Sequence, residues 1–169
     1  GKSTLLLAIA GLIRLHSGDV SCAGPIGLVL QRTSLDPLLT VAENALLFAR
    51  LHGVPGDRAA SRLAELLDDG DLNDRRNDQI RTLSGGLARR ADLVRACIVS
   101  PDLLILDEPT AGLDQPSREA FLGLVRRVRG ERQTTVLWAT HDDAEARAAD
   151  RVIVLDGGTI IADGSPTDL

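Results

Sequence analysis

The chain's 169 residues, 18.0 kDa in mass, are 44% hydrophobic and 25% charged, the balance of a chain that buries a real core, which excludes intrinsic disorder as its main state. That length fits one domain, or one domain with a sizeable insertion, without disulfide or metal staples. A net charge of −5 argues against a duplex-binding surface, which draws on clustered Lys and Arg, so no nucleic-acid partner is expected.

From the first residue, GKSTLLLAIAGLI sets Leu5, Leu6, Ile9, Ala10 and Ile13 on one helical face and predicts a helix that starts at or just before Lys2 and is ended by His16-Ser17-Gly18. Its run from Leu5 to Ile13 is about half of the ~20 apolar residues that a membrane span requires. No basic n-region or small-residue cleavage site accompanies it, so a cytoplasmic address is expected. Segments 20–23 and 25–30 read as short strands, and Gln31 falls where the run IGLVL gives way to a loop, a natural place for a side chain aimed at a ligand.

Thr40 with Glu43 predicts a capping box that opens a helix over VAENALLFARLHG, stopped by Gly53-Val54-Pro55-Gly56. A second amphipathic helix is expected over about Asp57 to Leu67. In DDGDLNDRRND, Asp69, Asp71 and Asn73 resemble the start of a calcium loop. The required Gly is Asp74, however, and the closing Glu is Ile80, so the segment reads as a solvated linker.

TLSGGLARRADLVRACIVSP predicts a Gly-Gly turn leading into a helix, with Ala91, Val94, Ala96, Cys97 and Ile98 apolar. From Leu103 the pattern changes to strands: LLILD, then TTVLWAT, then RVIVLDGGTIIADG as two strands around Gly157-Gly158, with helices from about Gln115 to Arg129 and Asp142 to Ala149. The alternation predicts an α/β fold with a mainly parallel sheet and ligands at the carboxyl ends of its strands, where Gln31, Asp107, Glu108 and His141 all fall. Residues 35–100 break the alternation and read as a helical insertion; residues 1–34 and 101–169 make up the core.

Several of these positions carry chemistry. Gly1-Lys2-Ser3-Thr4 is the closing half of a phosphate-binding loop: helix-start amides and the Lys charge neutralise phosphates, and the Ser3 hydroxyl completes the coordination of Mg²⁺. Lys2 is the one Lys among the 19 cationic residues. Asp107, ending the hydrophobic strand LLILD, can hold Mg²⁺ through water, while Glu108 orients and deprotonates an attacking water. Ser84, Gly85 and Gly86 bring a hydroxyl, bare amides and a helix dipole to one point, an anion site. His141 follows a strand and can donate to a γ-phosphate oxygen. Cys22 and Cys97 belong to no C-x-x-C pair and read as small apolar residues. No G-x-S-x-G nucleophile elbow is present.

The set GKST, LVLQ, LSGGL, LLILDEPTAGLD and ATHD, in this order and at these spacings, resembles the ATP-binding cassette family of P-loop ATPases over essentially the whole chain. The resemblance implies that Gly1, Lys2, Ser3 and Thr4 end the Walker A loop and that Gln31 is the Q-loop glutamine, serving both metal and catalysis. It further implies that Leu83 to Leu87 form the signature, that Asp107 and Glu108 are the Walker B pair, that Gly112-Leu113-Asp114 is the D-loop, with Asp114 at the nucleotide, and that His141 is the switch histidine. Leu87 stands where the family usually has Gln.

By the same resemblance, the implied cofactors are ATP and Mg²⁺. The implied partners are a second cassette, homo- or heterodimeric, that sandwiches ATP head to tail, and a membrane-spanning permease that holds the subunit on the inner face of the cell membrane. The stretch LTVAENALLFARLHGVP is similar to drug- and haem-type exporters. The family's first strands, its adenine-stacking aromatic and the first half of its phosphate loop would precede Gly1, so an amino-terminally truncated cassette with weak ATP binding is expected. Two further readings stay open: a cassette ATPase acting on nucleic acid or ribosomes, and a fragment without turnover.

Overall fold

The structure is a computed structural model that describes residues 1–168, the side chains of Glu131 and Arg132 aside; Leu169, the last residue of the expected core, lies outside the described residues. The chain divides into two compact units, one of Gly1–Ser21 with Trp138–Leu169 and the other of Cys22–Leu137.

In the larger unit, β1 (Ile26–Val29) pairs in parallel with β2 (Leu103–Asp107), Ile26 opposite Leu103 and Val29 opposite Leu106. The sheet order is β1-β2-β3, and β3 (Thr135–Ala139) begins with a hydrogen bond that the Thr135 amide donates to the Asp102 carbonyl at 2.9 Å, before the chain leaves this unit at Leu137. β2 is buried along Leu104, Ile105, Leu106 and Asp107, as a continuous apolar strand covered on both faces must be.

Between β1 and β2 the chain runs through helices and short 3₁₀ turns. Helix α2 (Val41–Leu51) opens on the expected capping box, the Glu43 amide donating to Thr40 Oγ1 at 3.1 Å and the Thr40 amide to Glu43 Oε2 at 2.8 Å. Helix α3 (Gly56–Asp69) buries Leu63, Leu66 and Leu67. Leu72 is fully buried and a short 3₁₀ turn spans Asn73–Arg75, so the stretch expected as a solvated linker is pinned to the core by one leucine that its charged neighbours conceal in the sequence. Helix α4 (Gly85–Cys97) lies against α2, α5 (Gln115–Arg132) and β1, and Ala91 to Cys97 are buried without a break.

In the smaller unit, helix α1 (Lys2–Ile9) is shorter than expected: it is capped by Ala10, and Gly11 takes a left-handed φ of 72° that ends the helix well before His16. Residues 20–23 form no strand, with Val20 and Cys22 exposed, because a four-residue segment without a partner edge gains nothing from extension. Helix α6 (Asp143–Arg147) follows β3, and β4 (Val152–Asp156) and β5 (Thr159–Gly164) form an antiparallel hairpin around Gly157-Gly158, both at positive φ.

Candidate nucleotide site

Gln31 and Glu108 lie 77 residues apart in sequence and meet at the ends of β1 and β2, Gln31 Nε2 donating to Glu108 Oε2 at 3.4 Å. Parallel pairing of the two strands brings this about: Val29 is level with Leu106, so the two chains emerge side by side. Asp107 ends β2 at 5% exposure, whereas Glu108 is half-buried and adopts a φ of 44°, a left-handed conformation that a non-glycine residue takes only where its surroundings hold it. Two adjacent acids thus have two environments, one buried and one half-buried.

The turn after Glu108 is closed by its own carbonyl, which accepts the Ala111 amide at 3.2 Å, and by Thr110, whose carbonyl accepts Leu113 at 3.1 Å. Asp114 then caps α5, its Oδ1 accepting the Ser117 amide at 3.0 Å. The side-chain and amide hydrogen bonds from Ser117 hold the Asp114 carboxyl below the usual carboxylate range. Ser84 caps α4 in the same manner, accepting Leu87 at 3.3 Å. Ser84 and Gly85 are exposed and Gly86 is buried, so a hydroxyl and the first amides of a thirteen-residue helix face outward.

In the smaller unit the first turn of α1 carries Lys2, Ser3 and Thr4, with Ser3 and Thr4 exposed and Gly1 as N-cap without a side-chain bond. Lys2 Nζ donates to the Thr140 carbonyl at 2.7 Å, which ties the amine to the residue before His141. Glu145 shapes that strand end: its Oε2 accepts from Thr140 Oγ1 at 2.6 Å and from Trp138 Nε1 at 3.1 Å. Asp142 caps α6 through bonds to Ala144 and Glu145 amides. His141 is exposed between these two anchored residues.

Every expected site residue thus sits at a strand end or a helix start, and behind the exits of β1 and β2 lie three charged side chains that the sequence did not single out. Arg89 binds the backbone at both strand ends, Asp92 and Arg95 accompany it along α4, and all three are buried. Their signal was present: charges of alternating sign at i, i+3 and i+6 in a helix whose other residues, Arg90 aside, are apolar or glycine. Glu145, which orders the approach to His141, gives no comparable pattern.

The donor set suits a magnesium nucleotide. In the larger unit Asp107 and Gln31 offer oxygen ligands at adjoining strand ends, and in the smaller unit, taken by itself, Ser3 offers an exposed hydroxyl; all are of the hard class that Mg²⁺ takes in small number beside phosphate and water. Among the described residues no three His, Cys, Asp or Glu gather into a cluster. No described helix is long and apolar enough to cross a membrane.

The chain is similar to known proteins in both sequence and fold. The model of the ABC transporter family matches residues 1–111. The linearmycin resistance ATP-binding protein LnrL of Bacillus subtilis is 36% identical over 182 residues, covering 100% of this chain and 58% of that protein. The daunorubicin/doxorubicin resistance ATP-binding protein DrrA of Streptomyces peucetius is 37% identical over 181 residues, covering 100% and 55%. The Nod factor export ATP-binding protein I of Burkholderia orbicola is 37% identical over 179 residues, covering 98% and 59%. The chain therefore spans just over half the length of these relatives.

Among solved structures, an inward-facing metal-chelate type ABC transporter superposes with a TM-score of 0.88 at 26% identity, covering 99% of this chain and 68% of the other. A dimeric post-hydrolysis ATP-binding cassette bound to ADP and Pi gives 0.85 at 28% identity, covering 98% and 81%. With a family model matched over most of its length and relatives aligned from end to end, this chain belongs to the ABC transporter family.

Proposed function

We propose that the chain is part of an ATP-binding, ATP-hydrolysing subunit that couples nucleotide turnover to export by a membrane-spanning partner. The observation that carries this reading is the Gln31–Glu108 contact at 3.4 Å, a neutral amide holding a carboxylate whose backbone is already forced outward. A carboxylate so held is positioned to accept a proton from water as that water attacks a γ-phosphoryl group. Gly1, Lys2, Ser3 and Thr4 bind the phosphates, Asp114 sits at the nucleotide, and His141 donates to the γ-phosphate. Asp107, Ser3 and Gln31 would hold Mg²⁺, which supplies charge neutralisation of the phosphate oxygens.

Ser84, Gly85 and Gly86 present an outward anion site at a helix start, which suits a nucleotide held by a second cassette rather than one held by the same chain. The drug-resistance and Nod factor export names of the relatives support export as the direction. Residues 35–100 form the helical subdomain that meets the permease, and the subunit works at the cytoplasmic face of the membrane. The deciding experiment is Glu108→Gln in the full-length protein. Nucleotide binding is retained and hydrolysis falls about a hundredfold or more, the loss expected of a general base; unchanged turnover would overturn the assignment.

A further inference from the structure

The guanidinium of Arg89, on the helix that begins at Ser84, reaches four backbone carbonyls. Nε donates to Pro109 at 2.6 Å, Nη1 to Leu30, and Nη2 to Asp107 at 3.4 Å and Glu108 at 3.3 Å. Leu30 immediately precedes Gln31, so this one side chain spans the exits of β1 and β2, the two strands whose ends bring Gln31 to Glu108. A planar fork with five donors can serve both ends at once, whereas an ammonium is a point charge. Burying such a cation is costly unless it is paired, and Asp92 Oδ2 lies 3.9 Å from Nη1.

Arg95 gives an internal comparison on the same helix. It shares Asp92, with Nε donating to Oδ1 at 2.9 Å, but its Nη2 bonds the Leu28 carbonyl at 2.6 Å, inside β1 and short of the strand's exit. Both arginines therefore share one carboxylate of α4 and tie that helix to the sheet through backbone carbonyls, and of the two it is Arg89 that touches the backbone of the acid pair.

We propose that Arg89 is a positioning residue for hydrolysis: it clamps the backbone at Leu30 and Glu108 so that the Gln31 amide and the Glu108 carboxylate keep the separation at which water is oriented. The proposal rests on the reading of Glu108 as the general base. It also gives α4 a double duty, since the helix that presents Ser84 outward would align the carboxylate on its own chain, and displacement at one end would be felt at the other.

The test compares Arg89→Lys with Arg95→Lys in the full-length protein, measuring kcat and KM for ATP together with thermal unfolding. Both variants lose stability, but Arg89→Lys lowers kcat by about tenfold or more with KM within about twofold, as expected when a reacting group is misplaced and not when binding is lost. Arg95→Lys keeps kcat within about threefold of the parent. Should Arg89→Lys not fold, Arg89→Gln, which can donate to one strand end at most, is read in its place.

An unchanged kcat in either folded Arg89 variant overturns the proposal, as does an equal fall in kcat at position 95. Glu108→Gln separates the two levels of the argument. If it abolishes turnover while the Arg89 variants do not, the clamp fails and the base stands. If it leaves turnover intact, both fall together.

Discussion

Gly86 and Ser117 approach so closely that a Cβ on Gly86 would lie 2.2 Å from Ser117 Oγ and 2.6 Å from Ser117 Cβ. The start of α4 is thereby seated on the start of α5, whose first turn is capped by Asp114. Gly86→Ala must push the two helix starts apart, because the Ser117 Cβ cannot rotate away as its hydroxyl can. The expected cost is about 1–3 kcal/mol, the usual range for overpacking a tight contact. Gly85 differs: nothing lies within 4 Å of its added Cβ, so Gly85→Ala leaves unfolding within about 0.5 kcal/mol of the parent or raises it through helix propensity. Denaturant unfolding of Gly86→Ala, and of Gly86→Ala with Ser117→Gly, checks the contact. If the second change restores no stability, the close approach is not what makes position 86 a glycine.

Asp92 is completely buried between two guanidinium groups. Burial pushes its carboxyl up, while Arg95, the Ser34 amide at 3.3 Å and Arg89 pull it back down. Arg89 is in turn lowered by its own burial and supported by Asp92 and Asp107. Asp92→Ala would leave two buried cations without their shared counter-charge, for which the expected loss is about 3–5 kcal/mol. Asp92→Asn keeps an acceptor for the Ser34 amide and for one guanidinium nitrogen, so it falls between the parent and the alanine variant. Urea unfolding measures the series, and a loss for Asp92→Ala below about 1 kcal/mol would mean that the arginines' carbonyl bonds suffice without the charge.

How far the sequence spoke for itself follows from which interactions are local. The capping box at Thr40 and Glu43 and the caps of α4 and α5 by Ser84 and Asp114 are set within three or four residues and are legible. The strand LLILD could be read from its unbroken apolar run, and its terminal acid pair from the position. What escaped depended on distant partners. The charge alternation of Arg89, Asp92 and Arg95 is local, but what Arg89 binds is not: strand pairing brings the carbonyls of Leu30 and Glu108 to it. Leu72, hidden among Asp and Asn, is buried because of what lies across from it. The segment 20–23 failed in the opposite sense: four residues of strand-like composition had no edge to join, and α1 is shorter than its apolar periodicity predicts because Gly11 takes a left-handed φ.

Cys97 sits at the end of α4 with 0% exposure, and burial pushes its thiol up to about 12. In the unfolded chain a thiol ionises near its ordinary value of 9.0. The folded state therefore holds a proton that the unfolded state releases, and this contribution to stability is intact below pH 9 and is lost as pH rises towards 12. Between those limits each pH unit costs about 1.4 kcal/mol from this one group. This chain contains no Tyr and a single Lys, so few other groups confuse its alkaline limb. Cys97→Ala removes the titration at the expense of a small cavity: its stability at neutral pH is lower than the parent's, and its decline from pH 9 to 11 is shallower. Unfolding free energies measured across that range check the difference in slope. Parallel curves for parent and variant would mean that Cys97 ionises in the folded state much as it does in water, and that the end of α4 is open to solvent.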